Sequence, residues 1–116
     1  MIPTKNFGPG AAQVTITTTP GAATASQSLN QRNPANPNSG SLLPTLRIVN
    51  ETTGTIMAQW GSGSQTATVN STAILAGEDL TFDSQGGDNI SIYQPSATNS
   101  INNVAGKVYA QLGEGS

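Results

Sequence analysis

No stretch of this chain keeps an apolar rhythm for more than about six residues before Gly, Pro, Asn or Ser interrupts it. An amphipathic helix needs roughly 10–12 residues of 3.6-period pattern, whereas a strand needs only 4–8. The runs that do occur alternate and are rich in β-branched residues: Val14-Thr15-Ile16-Thr17-Thr18-Thr19, Leu46-Arg47-Ile48-Val49, Ile56-Met57-Ala58-Gln59-Trp60, Asn89-Ile90-Ser91-Ile92-Tyr93. Strands are expected at 14–19, 45–50, 55–60, 65–69, 73–75, 79–83, 89–93 and 107–112, with a weaker one at 22–29 whose Ala content would also permit a helix. About eight short strands at about 8–12-residue spacing are the signature of an all-β fold, a small antiparallel β-sandwich or jelly-roll-like barrel.

With 116 residues the chain is one domain. Residues 1–12, broken by Pro3, Gly8, Pro9 and Gly10, read as an extended N-terminal arm; residues 13–116 form the sandwich, with a Pro/Asn-rich loop at 30–44. Strand alternation selects an inward set: Val14, Ile16, Leu46, Ile48, Ile56, Ala58, Trp60, Val69, Leu75, Leu80, Phe82, Ile90, Ile92, Val108, Ala110 and Leu112. Large apolar residues are sparse, with one Trp, two Tyr and two Phe. A core this thin supplies little stability alone, which favours self-association or docking on a neighbour.

Charge and chemistry narrow the function. The formal charge is −2, and the only cations are Lys5, Arg32, Arg47 and Lys107, so no basic patch for nucleic acid is expected. The opening Met1-Ile2-Pro3-Thr4-Lys5 lacks a charged region followed by an apolar run, and no stretch approaches the roughly 18 apolar residues of a membrane span. With neither His nor Cys, the chain cannot build Ser–His–Asp or Cys–His nucleophiles, imidazole shuttles, thiolate metal sites or disulfides. Six carboxylates remain: Glu51, Glu78, Asp79, Asp83, Asp88 and Glu114. Asp83 and Asp88 share a turn and are the one pair that could mimic a glycosidase dyad, but Asp is also a turn residue and the turn reading is preferred. The same stretch, Asp83 to Asn89, lacks the alternate acids and final Glu of a calcium loop. Gly61-Ser62-Gly63-Ser64 lacks the following helix and Lys of a phosphate cradle. Asn50, Asn70 and Asn89 each begin a glycosylation-type triplet, expected from chance in an Asn/Thr-rich chain. Trp60, Tyr93 and Tyr109 could form an aromatic sugar platform, although Trp60 is read first as core. Arg47 is expected to pair with Glu51 or Glu78. No catalytic, cofactor-binding or metal-binding residue is assigned, and no enzymatic activity, cofactor or small-molecule substrate is expected.

Taken in order, the Thr-rich strand 14–19, Leu46-Arg47-Ile48-Val49-Asn50, the hairpin into Trp60-Gly61, Ala67-Thr68, Ile74-Leu75-Ala76-Gly77, Leu80-Thr81-Phe82, Val108-Tyr109 and Gly113-Glu114-Gly115 resemble short proteins of tailed-bacteriophage structural modules. The resemblance implies a small β-sandwich or jelly-roll subunit, made in the host cytoplasm and carried on the capsid exterior of the virion. As a decoration or cement protein it would bind the major capsid protein at capsomer junctions, self-associate as a homotrimer suited to three-fold positions, and bind neither nucleic acid nor membrane. A tail- or fibre-associated component that binds host surface glycan shares the same composition.

Overall fold

The computed structural model describes residues 8–29, 43–96 and 106–114. The segments at 1–7, 30–42, 97–105 and 115–116 fall outside the described residues, and with them most of the expected arm and of the Pro/Asn-rich loop. Ten strands occur in chain order: β1 (Gly8–Pro9), β2 (Val14–Thr17), β3 (Ala22–Ala23), β4 (Gln27–Ser28), β5 (Thr45–Asn50), β6 (Ile56–Gly61), β7 (Thr72–Ile74), β8 (Asp79–Asp83), β9 (Asn89–Gln94) and β10 (Lys107–Glu114). No helix forms among the described residues. The 22–29 stretch resolves into two short strands, because Thr24 replaces the ladder there. Its amide donates to the Ile92 carbonyl (2.8 Å), and its hydroxyl accepts from the Ile92 amide (3.0 Å).

All ladders are antiparallel and form two sheets. In the first, β10 lies between β5 and the pair β1/β2, and β5 continues to β8. In the second, β9 lies between β6 and the pair β3/β4, and β6 continues to β7. If β1 with β2, and β3 with β4, are each taken as one interrupted row, there are eight rows with spatial orders 1-8-3-6 and 2-7-4-5. The nested pairs 1·8, 2·7, 3·6 and 4·5 describe one long antiparallel ribbon rolled up on itself, which is the double Greek key of a jelly roll. The expected jelly-roll sandwich is therefore present as two open sheets; a closed barrel is not formed.

Alternation turns one face of each sheet inward. The first sheet contributes Ile16, Leu46, Ile48, Val108, Ala110 and Leu112; the second contributes Ile56, Ala58, Ile74, Ile90 and Ile92, all buried. Leu29 and Leu43 are buried in the same cluster, while Val14, Trp60, Leu80 and Phe82 pack against it half-buried. Each fully buried aliphatic side chain stabilises by roughly 1.5–3 kcal/mol, so this cluster is the main cohesive term.

Four expectations are corrected. Val69 and Leu75, expected inside, are 63% and 57% exposed. Ile74 takes the inward position of β7, so its neighbour Leu75 must point outward: a one-residue change of phase reverses the face. Val69 sits in the turn closed by Ser71 N–H to the Thr68 carbonyl (3.0 Å). The strand expected at 65–69 is instead a strap over the second sheet. Its donors are satisfied by hydroxyls rather than by a ladder, Gln65 N to Ser26 Oγ and Ala67 N to Ser91 Oγ, each at 3.0 Å. The described end of the arm is not independent of the core. Gly8–Pro9 pairs with Gly113 and Glu114, Gly10 and Ala11 amides donate to the Leu112 carbonyl, and Ala11 is buried.

Candidate interaction surface and edge notch

The candidate residues separate once the sheets are in place. Trp60 lies in register with Ile90, on the inward face at the mouth of the sandwich. Tyr93 lies opposite Met57 on the outer face of the second sheet, and Tyr109 lies opposite Thr15 and Val49 on the outer face of the first. Three aromatics on three different faces cannot form one sugar platform. Trp60 instead meets Phe82 of β8, with ring centroids 5.0 Å apart and planes inclined at 46°, and its indole N–H donates to the Asp83 carbonyl (3.1 Å). That pair joins the sheets at one edge.

Arg47 does not pair with Glu51 or Glu78. It meets Asp79 of β8 in a two-point ion pair, with Nε donating at 2.9 Å and a second nitrogen bonded to the other carboxylate oxygen. These hydrogen bonds hold the Asp79 carboxyl below the usual range and the Arg47 guanidinium above its own. Register explains the choice: Val49 is opposite Asp79 and Arg47 is opposite Thr81, so Asp79 lies on the diagonal from Arg47 on the same outer face.

Asp83 and Asp88 flank the 84–87 turn but serve different bonds. Asp83 Oδ1 accepts the Gln85 amide (2.8 Å); Asp88 Oδ1 accepts the Gly63 amide (3.0 Å) and the Asn89 side-chain amide (2.9 Å). The Asn89 bond, then the Gly63 bond, lowers the Asp88 carboxyl. No group of three acidic side chains able to hold a metal comes together among the described residues. Within the turn, Gly87 allows a close backbone approach to Gly61, where a Cβ would meet the Ser84 carbonyl oxygen at 2.9 Å and Gly61 backbone at 3.0 Å.

Asn50, first of the three glycosylation-type positions, is a structural pivot. It is fully buried; Nδ2 donates to the Gly54 and Ile74 carbonyls (both 3.0 Å), and Oδ1 accepts the Thr52 amide (2.9 Å) and hydroxyl (2.7 Å). It is the last residue of β5, in the first sheet, and so ties that sheet to the end of β7 in the second. Thr18 and Gln94 make a similar buried cross-sheet bond at the same end, Oγ1 to Oε1 at 2.8 Å.

Two surface features remain. The first is the outer face of the second sheet. None of β3, β4, β6, β7 and β9 carries a charged residue, and the chain from Thr52 to Gly77 has none at all. Pairing places Ala23, Tyr93, Met57 and Ala73 in one line across the four rows, and Leu75 follows immediately after β7. Ala23, Ala73 and Leu75 are exposed, Tyr93 and Met57 half-buried. The first sheet, by contrast, carries Arg47, Asp79, Asp83, Lys107 and Glu114.

The second feature is a notch in the second sheet's edge. β7 covers β6 only from Ile56 to Ala58, leaving Gln59–Gly61 beyond its end. The hollow there holds about 170 Å³ and is lined by Ala58, Gln59, Trp60, Thr72 and Gln85.

The geometry defines a jelly-roll β-sandwich with one charged and one uncharged sheet. Compared with family models, curated proteins and solved structures the chain has no match, so its role is read from its own residues.

Proposed function

We propose that this chain is a non-enzymatic structural subunit of a bacteriophage particle, a decoration or cement protein that binds the major capsid protein on the capsid exterior and self-associates, as a homotrimer, at capsomer junctions. The observation that carries the reading is the uncharged second sheet with its apolar line Ala23–Tyr93–Met57–Ala73 and exposed Leu75. A surface that keeps no charge on any of its strands desolvates at low cost, as the centre of a protein interface must. The resemblance to short proteins of phage structural modules supports the choice of partner, and a single thin core supports a subunit that gains stability from its neighbours.

The test is mass determination in solution, alone and with purified capsids lacking the protein. The expected result is a trimer that saturates the capsids and raises their melting temperature, with Met57→Lys plus Leu75→Lys losing saturation. A monomer that leaves the capsids unchanged overturns the reading.

A further inference from the structure

The edge notch is a different surface from the sheet face, and its side chains have a chemistry of their own. Trp60 supplies an aromatic wall, and among the described residues no charged side chain lines the hollow. Three polar side chains converge there. Thr72 Oγ1 and the Gln85 side-chain amide have no hydrogen-bond partner among the described residues; the Gln85 backbone N–H is already bonded to Asp83 Oδ1. Among the described residues Gln59 bonds through Oε1, which accepts the Ser71 hydroxyl (3.0 Å), and its NH₂ has no partner. Together they offer donors and acceptors along the lining of a hollow that also contains an indole.

Gln85 adds a second, independent observation. The turn Ser84-Gln85-Gly86-Gly87, closed by Gly87 N–H to the Ser84 carbonyl (2.8 Å), has φ of 54° at Gln85 and 70° at Gly86. Positive φ at both central residues is the type I′ geometry, which selects Asn, Asp or Gly at the first of them. Gln is held there in a left-handed conformation that costs a residue with a Cβ stability, and Gly would relieve it. What Gln85 contributes in return is a long amide reaching the notch.

We infer that the notch formed by Trp60, Gln59, Thr72 and Gln85 is a binding site for a neutral saccharide, one pyranose ring at a time. A sugar presents an apolar C–H face to an aromatic ring and hydroxyls, each both donor and acceptor, to amides and a threonine hydroxyl. With no charged side chain among the described lining residues, an acidic sugar finds no counter-ion there. A volume of about 170 Å³ is below the roughly 300 Å³ at which drug-sized pockets begin, which suits one ring. An extended peptide strand would need a longer open ladder than the three residues Gln59–Gly61. The site would let a particle-bound subunit attach weakly and many times over to glycan surfaces, an avidity that needs no tight single site.

Trp60 is the sole tryptophan, so tryptophan fluorescence, excited selectively over Tyr93 and Tyr109, reports this site alone. The full chain is titrated with the methyl glycosides of glucose, galactose, mannose and N-acetylglucosamine, with N-acetylneuraminic acid as the charged probe. The expected result is a saturable fluorescence change with at least one neutral glycoside, with Kd on the order of 1 mM. Gln85→Gly is expected to weaken binding at least tenfold while raising the melting temperature, and Thr72→Val to weaken it with the fold intact. Saturation only by N-acetylneuraminic acid, no saturable change with any glycoside, or unchanged affinity in both variants overturns the assignment. Met57→Lys plus Leu75→Lys leaves glycoside binding intact, so this site and the capsid-docking face fail or survive separately.

Discussion

The two sheets share a topology and a core yet present opposite surfaces. On the first, the outer positions of β5, β8 and β10 include Arg47, Asp79, Asp83 and Lys107, and its edge strand β8 carries an acid at each end. On the second, every strand is uncharged, and its edge strand β7 is three residues long with Leu75 exposed just beyond it. Charged edges resist strand-to-strand pairing, and uncharged ones permit it. The inward faces of both sheets obey one requirement, burial, and look alike. The outward faces are free of it, and their difference in charge is what singles out the second sheet as the docking face we propose.

The largest effect is expected where the sheets are tied together. Asn50→Ala removes four side-chain hydrogen bonds and leaves the Gly54 and Ile74 carbonyls without that partner. A buried group left unsatisfied costs about 1–3 kcal/mol, so a loss of about 3 kcal/mol is expected in denaturant unfolding. A loss under about 0.5 kcal/mol would show that β7 holds its place without the first sheet.

Next comes the contrast itself. Met57→Lys plus Leu75→Lys gives the second sheet the charge it lacks. Self-association is expected to weaken by tenfold or more in sedimentation equilibrium, with monomer stability changed by only about 0.5 kcal/mol at exposed Leu75 and by about 1 kcal/mol at half-buried Met57. Equal weakening by Thr15→Lys plus Thr81→Lys on the first sheet would erase the distinction between the faces.

Much of this architecture is legible in the chain. Alternation identifies ten of the residues that the core buries, among them Ile16, Ile48, Ile56 and Ile92, because a strand with one wet face writes its burial into every second position. It fails where period 2 has nothing to hold on to. In Ala73-Ile74-Leu75 two large residues are adjacent, and only the pairing of Ile74 with Ile56 decides which turns inward. Leu29 and Leu43 escape the pattern because Leu29 ends the weak 22–29 run, which has no other large apolar residue, and Leu43 falls within the Pro/Asn-rich loop. The strap at 64–68 imitates a strand in composition, yet its amides find Ser26 and Ser91, partners far away in sequence. The site is less legible than the fold. Trp60 stands out in the sequence as a candidate ligand, but Gln59, Thr72 and Gln85 carry no motif. Only the shortness of β7 and the turn at Gln85 bring them together.

The smallest effect concerns the ion pair that marks the first sheet as the wet one. Arg47 and Asp79 are 38% and 45% exposed at the side chain, and pairs so placed contribute about 0.2–1 kcal/mol. Because its bonds to Arg47 depress the folded-state carboxyl of Asp79, that contribution is fully present above the ordinary carboxylate value of about 4 and is lost as pH falls through the lower folded value. Asp79→Asn is therefore expected to lower stability slightly at pH 7 and to flatten its decline on acidification, while 1 M salt, with a screening length of about 3 Å, narrows the gap between variant and parent. An identical acid profile for the two proteins would show that the pair contributes nothing to the fold. The charges of the first sheet would then act only as a barrier to association, and the contrast between the faces would concern solubility alone.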